Sequence, residues 1–283
     1  MNWKAYKLIY TAKSPVHIGW HTLGYIALTR YYIPGKNMWA AFTENLTRAG
    51  KVSGDIAGMY KETGESVKKN LITSYFYPSI EGKPLLPMFT GQGLKMGDYE
   101  VAEFEGLFIK SFGQTAVLPQ SNTAEDESLH ESEFISPCAA DGKQVSFAGY
   151  VFVNKAGLGR GWEDVKDIVR EISVGGERKY GWGRLVLESC NEETATFFNL
   201  GVDLSDAAAP KVTIPANSHI PAHIAADCGL RLKGDMEPLV GREWGTAGSG
   251  REISRNIKVC WVPGSVLMEE AKLKISDYGI LSL

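Results

Sequence analysis

Apolar residues recur at every second position in the first stretch of the chain, Ala5-Tyr6-Lys7-Leu8-Ile9-Tyr10-Thr11-Ala12, where Tyr6, Leu8 and Tyr10 alternate and predict a strand. Ser14-Pro15 ends it, because proline lacks a donor and pushes the residue before it to extended backbone. Residues 23–33 read as a second extended segment. The period then changes. After Pro34-Gly35-Lys36, with Asn37 as N-cap, the positions Met38, Ala41, Phe42, Asn45, Leu46 and Ala49 fall at helical spacing, and Gly50 ends a helix of about three turns. Residues 51–72 are polar and read as a loop with at most a short helix. The prolines of 71–89 predict a stiff, irregular crossing rather than a central strand.

Strand character returns over 101–118, with Phe104, Leu107, Phe108 and Ile109, and again over 131–135. The polar stretch between them, with Glu125-Asp126-Glu127 at its tip, makes a hairpin arm of about 112–137 that is too poor in apolar residues to be core. Val145, Phe147, Gly149, Val151 and Val153 alternate as a half-buried strand. The turn Gly157-Leu158-Gly159-Arg160-Gly161 leads to a second helix, striped by Trp162, Val165, Ile168, Val169 and Ile172. A glycine-rich run follows, and then the strand Leu185–Glu188.

Strand, helix, strands, helix, strand is the order of an α+β, ferredoxin-like (RRM-like) βαββαβ domain over residues 1–190, with the arm inserted in its middle. Such a fold offers a sheet face and loops suited to single-stranded RNA. Residues 191–283 read as a second, smaller β-rich domain, with extended pieces at 211–214, 222–232 and 257–262. A second glycine-rich run, 241–250, holds Arg242, Gly245 and Gly248. Trp261-Val262-Pro263-Gly264-Ser265 echoes Tyr32-Ile33-Pro34-Gly35-Lys36, which allows a degenerate copy of the first domain.

With 283 residues, 44% of them hydrophobic and 22% charged, the chain is long enough for one large core or two ordinary ones. The four cysteines, Cys138, Cys190, Cys228 and Cys260, lie far apart, with neither zinc-ligand spacing nor a disulfide framework. No apolar signal core and no run long enough to cross a membrane is present, so a cytoplasmic protein is expected. The net charge of −3 excludes a general nucleic-acid coat. Its distribution is uneven, at +6 over residues 1–72, −7 over 73–150 and −2 over the rest. A basic face can therefore meet nucleic acid while an acidic one meets a basic partner.

The densest chemistry lies at Gly175-Gly176-Glu177-Arg178-Lys179-Tyr180-Gly181-Trp182-Gly183-Arg184. Glycines serve where φ must be positive or where another chain comes close, and N–H groups in such a turn can form a nest for an anion. Arg178, Lys179 and Arg184 could supply counter-charge, and Tyr180 and Trp182 could stack on bases. A flexible loop with solvated charges is the alternative. His17 and His21 could act as acid and base, contact RNA, or sit in a loop without chemistry. Lys36 and its turn could hold a phosphate or simply start a helix. Asp55 could assist a cleavage or be a solvated aspartate.

Three marks make the chain resemble the RAMP superfamily, the repeat-associated RNA-binding subunits of CRISPR effector complexes: Ser14-Pro15-Val16-His17-Ile18-Gly19, Tyr32-Ile33-Pro34-Gly35-Lys36, and the glycine-rich run. Asn70–Pro87 and the arm, Thr115–Phe134, are similar to the type III, Cas5-like subunit that caps the 5′ end of the guide RNA. The arm is short of basic residues for that role. The resemblance implies a non-catalytic protein without cofactor or metal. RNA would lie against His17, Gly19, Gly35, Lys36, Gly175, Gly176, Arg178, Lys179, Tyr180, Gly181, Trp182, Gly183 and Arg184. The implied partners are guide RNA (crRNA), target RNA, a large Cas10-like subunit and Cas7-like backbone subunits. Two rivals belong to the same superfamily. One is a backbone subunit cutting target RNA through Asp55. The other is a guide-processing endoribonuclease using His17 or His21, with Lys36 or Arg178 stabilising the phosphorane.

Overall fold

The computed structural model describes residues 2–50, 55–154, 159, 161–245, 248–253 and 257–283, and only the backbone of 242–245 and 248–253. Of the glycine turn at 157–161 only Gly159 and Gly161 fall within the described residues, whereas the second glycine-rich run is described by its backbone except at 246 and 247, with Arg242–Gly245 paired antiparallel to Gly248–Ile253. Strand β1 (Trp3–Ala12) is followed by a short hairpin, β2 (Gly19–Leu23) and β3 (Ile26–Thr29), and by helices α1 (Gly35–Ala49) and α2 (Ile56–Asn70). Then come β4 (Leu71–Thr73), β5 (Tyr77–Ile80), β6 (Lys83–Pro84), and a small meander of β7 (Pro87–Thr90), β8 (Gly93–Met96) and β9 (Tyr99–Glu100). Helix α3 (Val101–Phe108) enters the arm, built from β10 (Ile109–Gln114), β11 (Val117–Leu118), β12 (Thr123–Ala124) and β13 (His130–Ile135). β14 (Ser146–Asn154), α4 (Trp162–Ile168), β15 (Glu171–Ser173) and β16 (Arg184–Glu193) complete the first half.

The first sheet runs β15-β16-β1-β14-β5-β6, with β4 also on β14, and its pairs are antiparallel. In terms of a βαββαβ unit this order is fourth, first, third, second strand, so the fold is α+β with a ferredoxin-like sheet. Period-two alternation sends β1 into two cores at once. Tyr6, Leu8, Tyr10 and Ala12 face the helices, packing with Met38, Phe42, Val165 and Ile172. Trp3 and Ala5 face the other way, into a cluster with Phe197, Val212, Ile214 and Leu273. β14 does the same, with Phe147 and Val151 toward the helices and Tyr150 and Phe152 toward the second half. Each such fully buried aromatic contributes roughly 1.5–3 kcal/mol by leaving water.

The second half forms an eight-stranded sheet in the order Thr196–Phe197, Leu200–Asp203, Lys211–Ile214, Ala271–Ile275, Leu281–Ser282, Ile224–Ala225, Lys258–Trp261, Met236–Leu239. It covers the back of the first sheet, so the sheet face that an RRM-like fold would leave open to RNA is buried against protein. β14, expected half-buried, is buried on both faces for the same reason. Among the described residues beyond 193 the one helical turn is Asp277–Gly279, and Pro263-Gly264 leads into a strand where Pro34-Gly35 leads into α1.

Five elements differ from the sequence expectation. Residues 56–70 form a helix of 15 residues, because Asp55 caps it by accepting from the Gly58 N–H at 2.8 Å and Gly64 and Val67 bury against α1. Residues 71–80 supply the second strand of the sheet, interrupted between β4 and β5, with Pro78 opposite Phe147. Residues 101–108 are helical, since Phe104 and Phe108 lie one turn apart and both are buried. Helix α1 starts at Gly35 after Pro34, not at Asn37, and α4 ends at Ile168, leaving Ile172 in β15. No helix among the described residues is long and apolar enough to cross a membrane.

The arm is broader than a hairpin. β10 and β13 pair from Ile109↔Ile135 to Gln114↔His130, and β3 joins β13 in parallel, giving the sheet β10-β13-β3-β2. By register, Lys110, Phe112, Gln114, His130, Ser132 and Phe134 share one face of the β10–β13 ribbon. Phe112, Val117, Leu118 and Leu129 are exposed along the arm.

Candidate nucleic-acid interface

The glycine-rich run closes over the end of β1. The Val174 N–H donates to the Gly183 carbonyl (3.0 Å), the Gly183 N–H to the Pro15 carbonyl (2.7 Å), and the Gly176 N–H to the His17 carbonyl (2.9 Å). The Arg184 N–H donates to Ser14 Oγ at 2.9 Å. Glycine is required here for a stated reason: a Cβ on Gly175, at φ +78°, would lie 2.1 Å from the His17 carbonyl oxygen, and one on Gly183, at φ +79°, 1.9 Å from that of Val174. The close backbone approach is therefore with this chain's own Ser14–His17 segment. The Gly176 and Gly183 N–H groups, which an anion nest would need, are already donated. Gly181, at φ +83°, faces open space, with nothing within 4 Å of its missing Cβ.

His17 is buried beneath this loop. Its Nδ1–H donates to the Glu133 carbonyl at 2.6 Å, which fixes the proton on Nδ1 because a carbonyl only accepts. The Glu133 carboxylate accepts from the Thr29 N–H at 3.2 Å, so one arm residue ties the loop support to β3. His17 is thus a strut between the loop and the base of the arm. Gly19 lies at its side, a Cβ there falling 3.6 Å from Nε2.

The charged residues of the loop divide. Arg178 donates from NH2 to Glu44 of α1 at 2.5 Å. Arg184 grips Glu171 with two bonds, at 2.6 and 3.1 Å, and that bond holds the Glu171 carboxyl below its usual range. Both guanidiniums therefore brace the loop. Lys179 is exposed, and Tyr180 is 69% exposed. Trp182 turns inward and packs edge-on against Phe134, with centroids 4.9 Å apart. Trp162 stacks on Tyr6 at 4.8 Å rather than on a loop aromatic. Lys179 and Tyr180, adjacent in sequence, are the exposed cation and aromatic of the loop that these bracing contacts do not use.

Gly35 and Lys36 do not join this group. Gly35 is buried, a Cβ on it falling 2.1 Å from the Tyr278 carbonyl oxygen and 2.4 Å from that of Thr73, and the Lys36 ammonium lies 5.7 Å from the Tyr278 ring centroid. His21 is exposed on β2, its ring 4.4 Å from that of Trp20. Asp55 is committed to its helix cap. No three His, Cys, Asp or Glu side chains among the described residues form a metal-holding group.

A buried polar chain was beyond sequence reasoning, its members lying up to 217 residues apart. The Tyr75 O–H donates to His223 Nδ1, and His223 Nε2–H donates to Glu237 Oε1, both at 2.6 Å. The Glu237 carboxylate also accepts from Arg30 at 2.6 Å and from Trp20 Nε1–H at 2.9 Å. Burial alone would raise the Glu237 carboxyl, but the bonds from His223 and Arg30 and the Arg30 charge outweigh it and hold it at about 2. Burial pushes the His223 imidazole below its usual range, against the pull of Glu237 and with the help of Arg30. This chain fastens β2 and β3, at the root of the arm, to the second sheet.

No protein-family model matches the sequence, and no curated protein matches it. Solved structures do match in fold. A chain of the Type III-B Cmr-beta complex bound to cognate target RNA and AMPPnP, state 1, is similar at a TM-score of 0.55 and 12% identity, over 93% of this chain and 85% of that one. A chain of the Type III-B Cmr-beta complex bound to cognate target RNA is similar at a TM-score of 0.52 and 11% identity, over 92% and 86%. Nearly the whole chain, second half included, shares its fold with these chains.

Proposed function

We propose that this protein is a non-catalytic, guide-RNA-binding subunit of a type III CRISPR effector complex. In this reading it holds the 5′ handle of the guide and joins a large Cas10-like subunit to Cas7-like backbone subunits. The division near residue 190 belongs to the same reading: the first domain carries the RNA surface and the second stiffens it from behind. The observation that carries the proposal is the loop geometry. Glycine-dependent backbone bonds, His17 and two arginine–carboxylate pairs hold the loop still while Lys179 and Tyr180 point outward. A cation beside an exposed aromatic, both on a backbone held by these bonds, suits phosphate and base of a single strand. The whole-length fold likeness to chains of an RNA-bound effector complex supports it. So does the arm, whose Phe134 face continues from the loop through Trp182 and carries exposed Phe112 for contact with the guide–target duplex. The acidic tip, Glu125-Asp126-Glu127, is suited to a basic partner protein rather than to phosphate.

Native co-purification tests this. Short RNAs sharing a 5′ tag, one copy of this chain per complex and a large subunit alongside are expected. Several copies per complex with cleaved target would move the reading to a backbone subunit, and preparations free of RNA and partners would overturn it.

A further inference from the structure

On the helical side of the first sheet, between the last turns of α1, the end of α4, and β15, lies an open cavity of about 480 Å³. Its lining is mixed: Ala49 and Ile168 offer apolar surface, and Glu44, Asn45, Arg48, Glu171 and Arg178 offer polar groups. Glu44 is clamped from both sides, Arg48 donating to Oε1 at 2.6 Å and Arg178 to Oε2 at 2.5 Å. The exposures order these groups in depth. The Glu44 side chain is 19% exposed, that of Arg178 42% and that of Arg48 75%, so the carboxylate sits at the back and the guanidiniums stand forward. Each guanidinium has five N–H donors and gives one to Glu44. Asn45 fixes the wall, donating to the carbonyls of Ile168 and Glu171. Glu171 is neutralised by Arg184, so the rim carries one net positive charge.

We propose that this cavity is an anion site that takes one nucleotide phosphate on Arg48 and Arg178, with the sugar or base lying against Ala49 and Ile168. Planar guanidiniums match phosphate oxygens two at a time, and each keeps N–H donors that Glu44 does not use. The net positive charge favours an anion over a cation. Glu44 acts as the resident counter-ion that keeps both arginines in place and sets the affinity by competing with the phosphate. The phosphate could come from a free nucleotide or from an RNA strand, and the proposal does not depend on the RNA surface at Lys179 and Tyr180.

Calorimetric titration of the full chain with adenosine 5′-monophosphate at low salt is the test. The nucleotide is expected to bind, and adenosine without phosphate to bind at least about tenfold more weakly. Arg48→Ala, at an exposed position, is expected to weaken the nucleotide about tenfold, and Glu44→Gln to tighten it severalfold. A five-nucleotide RNA that displaces the nucleotide would identify RNA as the phosphate source, and one that binds without displacing it would identify a free nucleotide; either supports the site. Lys179→Ala with Tyr180→Ala separates the two surfaces, because it should leave nucleotide binding unchanged even where RNA binding fails. No nucleotide binding, or the same affinity in Arg48→Ala, would overturn the proposal.

Discussion

Replacing Glu237 by glutamine keeps the shape of the buried polar chain and removes its negative charge. The Arg30 side chain is 14% exposed and that of Glu237 8%, so water cannot take over as counter-ion. Breaking a buried pair from one side costs about 3–5 kcal/mol, and the retained amide oxygen, still able to accept from Arg30 or His223, places this variant near the lower figure. Unfolding entropy of about 2.1 cal/mol/K per residue over 283 residues gives about 0.6 kcal/mol/K, so about 3 kcal/mol lowers Tm by about 5 °C. Scanning calorimetry of wild type and Glu237→Gln at pH 7.5 reads this. Glu192→Gln is the control: its partner Lys4 is half exposed, and Tm should not move. A Glu237→Gln shift below about 1 °C would refute the view that this carboxylate is the needed partner of Arg30 and of the root of the arm.

The same chain sets an acid limit. The His223 pKa is depressed by folding, so the unfolded state binds the extra proton; stability is full above the ordinary value of 6.5 and declines as pH falls below it. Denaturant midpoints from pH 8 to 5 should show that decline, and His223→Gln should flatten it. Gly183→Ala puts a Cβ 1.9 Å from the Val174 oxygen at φ +79°, costing about 1–2 kcal/mol from the left-handed backbone alone. Its mark should be faster amide exchange at Val174, whose N–H the Gly183 carbonyl holds. Asp55→Ala should cost about 1 kcal/mol by uncapping α2 and leave any RNA substrate as it was. Loss of an RNA-cutting activity in that variant would favour the catalytic reading of Asp55.

The ferredoxin-like half was legible because two periods carried it: Tyr6-Leu8-Tyr10 at two, and Met38-Ala41-Phe42 at helical spacing. The same rule applied more strictly would have found α3, since Phe104, Leu107 and Phe108 are three and four residues apart. It would also have found the double burial of β14, since Ala148, Tyr150 and Phe152 between the marked positions are apolar too. Two faces both apolar announce a second layer, and here that layer is the second sheet. The loop was legible as a loop, but not which of its residues look outward. The aspect of Arg178 and Arg184 depends on Glu44 and Glu171, and that of Trp182 on Phe134, 48 residues away. Lys36 was misplaced because a turn before a helix says nothing of what packs against it, and Tyr278 comes from the far end of the chain.

The central claim is that Lys179 and Tyr180 present the RNA-binding surface on a rigid loop. Fluorescence anisotropy with a labelled single-stranded RNA at fixed salt, on wild type and the Lys179→Ala/Tyr180→Ala variant, tests it most directly. Base–aromatic stacking is worth about 1–3 kcal/mol and a phosphate contact adds to it, so affinity should fall at least about tenfold with Tm unchanged. Equal affinity for wild type and variant, with both folded, would contradict the account.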